Sequence, residues 1–300
     1  MAMLLAVMEV IALSWGALTF GAVYPWGYWP LIGASAAVGV LAVLFVRSRV
    51  RGLWRVAASL AAVAAVIGLQ LIRVPATVIA RVSPLRDAFL KRYDVLYATQ
   101  TTSGSHALSL NAGGTLVALS CFAAFSLLLL ATARIASVRG VARQIARGIA
   151  VFGLGLALFA LAQNLALDNQ AGEGHTILIY GIWPDPYVNK PFGPFINKNN
   201  YAGWMLMAMP LAIGYLAANL SRLWRRVQPD WRSRLLALSS KGGARALLAA
   251  VASFVMGASI IVSMSRSGMV ALALASGGMA WFAPVGASEA RARRTQLTIA

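Results

Sequence analysis

Apolar residues in this chain come in blocks of 17 or more, and the blocks are separated by short stretches rich in arginine. Blocks of that length match the thickness of a bilayer's hydrocarbon core, about 30 Å, when wound as helices. Composition agrees: 60% of residues are hydrophobic, 11% are charged and the mean hydropathy is +0.74. A soluble domain carries roughly 25% charged residues. The expected fold is an all-α polytopic membrane protein, a single transmembrane domain over residues 1–300. Eight spans are expected, at Met3–Phe20, Tyr28–Val46, Val56–Ile72, Leu116–Ala133, Ile149–Leu167, Tyr201–Leu220, Ala246–Met264 and Ser267–Ala283. Thr295–Ala300 reads as the start of a ninth.

The net charge of +18 invites a nucleic-acid reading. The positions of the charges argue against it. Eighteen of the 26 basic residues fall in the connections after the even-numbered spans and in the tail, from Arg47–Arg55, Arg134–Gly148 and Ser221–Arg245 onward. This is the positive-inside pattern, which places those connections and the N-terminus in the cytoplasm and the other connections outside. The arginines are then topology signals and contacts for anionic membrane lipids. The first block has no basic stretch before it, so it is expected to be a retained helix and not a cleaved signal peptide. Cys121 is the only cysteine, which excludes a disulfide within the chain.

The outer connections hold the chemistry-bearing residues. They are 73–115 and 168–200, with both histidines, His106 and His175, and five of the eight acids, Asp87, Asp94, Asp168, Glu173 and Asp185. Arg81–Asp94 reads as a partly helical segment on the membrane surface. Ala98–Gly114 is rich in Ser, Thr and Gly and reads as flexible, with His106 solvated in it. Tyr24, Trp26, Tyr28 and Trp29 form an aromatic belt at the outer boundary. Glu9, two turns into the first span, is expected to snorkel to the near interface. Gly153 and Ala157 are packing positions. Gln163 and Asn164 point toward the outer rim.

Two spots stand out. Phe192–Trp204 carries Asn197, Lys198, Asn199 and Asn200 directly before an apolar block. Ser265-Arg266-Ser267 is a turn between two long apolar blocks with almost no loop. A guanidinium at that depth either pairs with a distant acid, backbone carbonyls or an anionic ligand, or snorkels to lipid headgroups, and no acid lies near it in sequence. An arginine fork matches phosphate oxygens two at a time, and a helix beginning after Asn200 favours an anion at its N-terminus. Lys198, Arg266 and the asparagine amides together suit a lipid-linked phosphate or diphosphate. Neutralising a leaving diphosphate in this way needs no metal, and neither a metal nor a cofactor is expected.

Gly193-Pro194-Phe195-Ile196-Asn197-Lys198-Asn199-Asn200-Tyr201-Ala202-Gly203 resembles the G-x-F-x-N-[RK]-N-x-[FY]-A segment of the O-antigen ligase and polymerase superfamily. Ser263-Met264-Ser265-Arg266-Ser267-Gly268 is similar to that family's S-x-S-R-[SG]-[GA] turn, some sixty residues on. Gly21-Ala22-Val23-Tyr24-Pro25-Trp26 after the first span also recurs in bacterial members. The resemblance covers the N-terminal part of the family. It implies a GT-C-type membrane glycosyltransferase of the bacterial inner membrane. Such an enzyme moves a glycan from undecaprenyl diphosphate to the lipid A core or to another glycan on the periplasmic face. It implies that Arg266 binds the diphosphate, helped by Lys198; Asn197, Asn199, Asn200 and Ser265 are candidate substrate-binding residues from their place at the rim. The family's general base is a histidine in a large periplasmic loop after further spans. That loop is absent here, so a chain truncated relative to the family is expected. His175 is a candidate substrate-binding side chain and does not match the family's catalytic position. Two other readings stay open: a transporter or flippase of a lipid-linked sugar, and a non-catalytic remnant that binds lipid-linked glycan.

Overall fold

The computed structural model describes residues 1–47, 50–99, 105–170, 178–184, 191–225, 227, 230–279 and 281. The chain is all-α. In order it forms α1 (Ala2–Leu18), α2 (Pro25–Phe45), α3 (Leu53–Leu69), β1 (Arg73–Val74), α4 (Ala76–Val82), α5 (Pro84–Tyr93), α6 (Val95–Ala98), β2 (His106–Ala107), α7 (Ala112–Ala136) and α8 (Val141–Gln170). Then follow β3 (Leu178–Ile179), β4 (Trp183–Pro184), α9 (Lys198–Trp224), α10 (Trp231–Leu238) and α11 (Lys241–Val262), and residues 266–279 are helical. Among the described residues, α2, α7, α8, α9 and α11 are long and apolar enough to cross a membrane. α1 and α3 are apolar but have 17 residues each.

Over its described residues each of the eight expected apolar blocks coincides with a helix, and Thr295–Ala300 lies outside the described residues, but several helices begin earlier than hydropathy indicates. α9 starts at Lys198, not Tyr201. Asn197 is extended, and its side chain accepts a hydrogen bond from the Asn199 N–H, as an N-cap does. α11 starts at Lys241, not Ala246, because the Ser240 hydroxyl accepts from the Gly243 N–H. Asn111 opens α7 in the same way through Gly114. Hydropathy marks where lipid begins, whereas a capping side chain marks where the helix begins. Pro210 lies inside α9. It has no N–H, so the Leu206 carbonyl loses its partner within the helix.

The chain divides into two compact units. The first comprises Met1–Glu9 and Trp29–Val141. Here α3 packs on α7, and Gly39 of α2 meets α7 so closely that a Cβ would come 2.5 Å from the Leu127 Cβ. Lipid tails give apolar helices no reason to associate, so small residues that allow close backbone approach matter most. Glu9 does not snorkel. It is buried, with one carboxyl oxygen hydrogen-bonded to the Thr132 hydroxyl of α7. Two helical turns are about 11 Å, beyond a glutamate's reach, and Thr132 is nearer. In α5 the Lys91 ammonium donates to Asp87 at 2.6 Å, and the Tyr97 hydroxyl donates to the other Asp87 oxygen at 2.8 Å. His106 is not a free loop residue. It pairs with Val74 in the β1–β2 ladder and sits edge-on to the Tyr97 ring at 5.1 Å.

The second unit comprises Val10–Tyr28 and Ala142–Ala300. Its core is the antiparallel pair α9 and α11, where Tyr201, Met205, Met209 and Ala212 are buried on one helix and Ala249, Ala252, Met256 and Ile260 on the other. On α8, a Cβ at Gly153 would come 2.7 Å from Met256, and Ala157 is fully buried, so both are packing positions as expected. The aromatic residues after α1 do more than mark an interface. Phe20 gathers Tyr24, Trp26, Tyr180 and Trp183 at centroid distances of 5.5–5.9 Å. Tyr180, at the turn of the β3–β4 hairpin, donates to the Leu18 carbonyl.

Candidate functional site

The site is built on a tight turn. Phe192 and Phe195 exchange backbone hydrogen bonds of 3.1 and 3.3 Å across Gly193-Pro194. Gly193 has φ +58, and a Cβ there would sit 2.8 Å from the Ala160 Cβ of α8. Only glycine meets both conditions without strain. The Gln163 amide of α8 donates to the Gly193 carbonyl at 3.0 Å, so Gln163 faces this rim as its sequence position indicated. The rings of Phe192 and Phe195 then pack on Tyr201, with centroids 4.7 and 5.8 Å away. Tyr201 is fully buried, and its hydroxyl donates to the Ser259 hydroxyl of α11 at 2.7 Å. Ser259 in turn donates to the Met256 carbonyl. The turn is thereby fastened to α8, α9 and α11.

Four predicted residues open α9. Asn197 is the cap, its oxygen 2.8 Å from the Asn199 nitrogen. Lys198 is half-buried, and Asn199 and Asn200 are exposed. The other half of the site follows α11. Met264 takes φ +52, which reverses the chain within a few residues. Ser265 is fully buried. Its hydroxyl donates to the Asn199 Oδ1 at 2.7 Å and accepts from the Gly268 N–H at 3.2 Å. The second of these bonds caps the helical residues 266–279. Gly268 lies against α9, where a Cβ would come 2.7 Å from the Ala202 Cβ. Arg266 is exposed in the first turn of that helix.

The Asn199–Ser265 bond thus joins stretches 66 residues apart in sequence. Lys198 precedes Asn199, and Arg266 follows Ser265. Two helix N-termini open at this one rim, where the unpaired first-turn N–H groups carry partial positive charge. Among the described residues, the ion pair is Lys91–Asp87, and neither Lys198 nor Arg266 has an acidic partner. The rim thus carries two cations, each next in sequence to one end of the Asn199–Ser265 bond.

The third stretch belongs here too. Gly21, at φ +73 after α1, packs on the asparagine stretch so closely that a Cβ would be 2.9 Å from the Phe195 ring. Sequence reasoning missed the roles of Tyr201 and Ser259. The signal was a serine within an apolar block, one helical turn before Ser263, opposite a tyrosine in the other block. His175 lies outside the described residues, as do Glu173 and Asp185.

Comparison of the chain with models of protein families, with curated proteins and with solved structures gave no match.

Proposed function

We propose that this protein is a membrane glycosyltransferase of the O-antigen ligase type. It would take glycan from undecaprenyl diphosphate and pass it to the lipid A core or to another glycan. In this reading the eight apolar helices all span the bacterial inner membrane, with the N-terminus cytoplasmic and the Asn199–Ser265 rim periplasmic. The charge distribution along the sequence supports that orientation.

One observation carries the reading. The Ser265–Asn199 hydrogen bond draws the two cation-bearing stretches to one rim, beside two helix N-termini. The acceptor hydroxyl oxygen bonds the anomeric carbon and gives up its proton to solvent water as that carbon's bond to the diphosphate oxygen breaks. Negative charge grows on the leaving diphosphate, and Arg266 meets two of its oxygens with the guanidinium fork. Lys198 adds a second charge. Ser265 and Asn199 hold these cations in register and the bound species away from the apolar helices.

The test is glycan transfer in a host deprived of its own transferase, with insertion of the protein checked separately. Arg266→Ala and Lys198→Ala are expected to abolish the surface-glycan ladder while the protein stays in the membrane. A normal ladder from both variants would falsify the reading. Binding of the lipid-linked glycan with no turnover by wild type would move the assignment to a binding protein.

A further inference from the structure

At the opposite ends of α9 and α11 from the Asn199–Ser265 rim there is a second polar place. Asn199 and Arg222 stand about 35 Å apart along α9, at 1.5 Å of rise per residue. A cleft of about 550 Å³ lies at that far end. It is lined by Arg143 of α8, Asn219 and Arg222 of α9, and Ser240, Lys241 and Arg245 at the start of α11. Four cations border one cavity, and no acid is among its lining residues. Among the described residues none of the four is in an ion pair. Asp230, the acid nearest in sequence, is engaged elsewhere. Its carboxylate caps α10, accepting from the Ser233 N–H at 2.8 Å, and lies near Arg234.

Like charges around one space repel one another, and an anion among them removes that cost. Three of the four are arginines, whose planar forks fit phosphate oxygens two at a time. The surroundings indicate what else the ligand carries. Trp224 follows the lining residue Leu223 in sequence, Leu235 and Leu236 precede the lining residue Ala237, and all three are exposed, as is Trp231. Arg234 lies over the Trp224 ring at 5.6 Å and Arg232 over Trp231 at 5.5 Å. Exposed tryptophan and leucine interleaved with arginine is the composition of a helix lying in a headgroup layer. A cleft at that level is open to headgroups from the membrane and to solutes from the aqueous side.

We infer that this cleft is a binding site for a phosphate-bearing anion, separate from the Asn199–Ser265 rim. The shared chemistry is a phosphate held by Arg143, Arg222, Lys241 and Arg245. Its source is either an anionic phospholipid headgroup or a soluble phosphate compound. The site is independent of the glycosyltransferase reading, since none of its residues takes part in that chemistry.

The test uses the full chain, purified and stripped of lipid in neutral detergent. Cardiolipin, phosphatidylglycerol, phosphatidylcholine and inorganic pyrophosphate are added separately. Binding is read by native mass spectrometry and by the thermal midpoint. The anionic lipids are expected to bind and raise the midpoint, and phosphatidylcholine is not. In R222Q/R245Q their affinity is expected to fall about thirtyfold, at about 1 kcal/mol per cation. R51Q/R55Q loses the same charge outside the cleft and is expected to bind as wild type. Pyrophosphate binding with the same sensitivity to R222Q/R245Q, without lipid binding, assigns the site to a soluble phosphate. Equal binding by the two double variants, or no preference for any anionic phosphate, overturns the inference. If R222Q/R245Q does not fold, K241Q and a salt titration of wild type replace it. Affinity that does not change with salt or with K241Q overturns the inference as well.

Discussion

The Ser265 hydroxyl donates to Asn199 Oδ1 at 2.7 Å, and this single bond ties the start of α9 to the turn after α11. Ser265 is fully buried and Asn199 is exposed, so the bond is shielded from water at its serine end only. Ser265→Ala and Asn199→Ala are each expected to cost about 1 kcal/mol of stability. The double variant should cost less than the sum of the two, since both remove one interaction. Thermal midpoints of the four proteins check this, and strictly additive losses would show that the bond contributes nothing.

Arg266→Lys separates charge from geometry. Lysine keeps the positive charge but presents a point charge in place of a fork. If two diphosphate oxygens are held at once, transfer by R266K falls at least tenfold with little change in thermal midpoint. Lys198→Arg should retain most activity, because there only charge is needed. Full activity in R266K would remove the two-pronged contact from the mechanism.

Gly193→Ala tests the turn. Alanine at φ +58 costs about 1–2 kcal/mol, and the Ala160 Cβ at 2.8 Å adds crowding. Gly155→Ala on α8 is the control, since nothing lies within 4 Å of a Cβ there. The first should lower the thermal midpoint and the second should leave it unchanged or raise it. A tolerated G193A would mean that the turn is not fixed by its glycine.

Glu9 and Thr132 give a test in the first unit. Thr132→Val removes the hydrogen-bond partner from a buried carboxyl group and is expected to cost about 1–3 kcal/mol. Glu9→Gln keeps an oxygen able to accept from Thr132 and should cost much less. Thermal midpoints in detergent distinguish the two. Equal losses would show that shape, and not the hydrogen bond, holds the pair.

Asp87 predicts a pH dependence in the α5–α6 segment. Its carboxyl is held below the usual aspartate range, first by the hydrogen bond from Lys91 and then by that from Tyr97. A lowered folded-state value stabilises above the ordinary pKa of about 3.9 and loses that contribution as pH falls through the lowered value. Amide exchange of residues 84–98, corrected for intrinsic rate, should therefore accelerate in acid. In Asp87→Asn the acid-side change should vanish. The Tyr97 hydroxyl, pushed up to about 12 by burial first and by Asp87 second, keeps donating throughout that range.

Apolar block length was enough to indicate the long apolar helices but not the short α4, α6 and α10, which lie outside the blocks. It was not enough to place the ends of the long ones. Lys198 through Asn200 read as loop by hydropathy, yet they are the first turn of α9 because Asn197 caps it. The pairing of the asparagine stretch with the Ser265 turn was anticipated only as proximity on one face. The bond between them depends on the reversal at Met264, a local backbone angle that no residue type announces. Glu9 failed for a related reason. Its partner Thr132 is 123 positions away, and nothing near Glu9 in sequence names it. The ladder at His106 went unread because its strand partner Val74 and the ring it meets edge-on, Tyr97, are equally silent locally.

Pro210 gives α9 a mechanical character. The helix runs from the Asn199 end to the Arg222 end, and the missing bond at the Leu206 carbonyl falls near its midpoint. A rigid rod would pass any tilt at one end straight to the other. A rod with one rung missing bends there first. A tilt that an anion in the inferred cleft imposed beside Arg222 would then be taken up at Pro210 before it reached the Asn199–Ser265 bond.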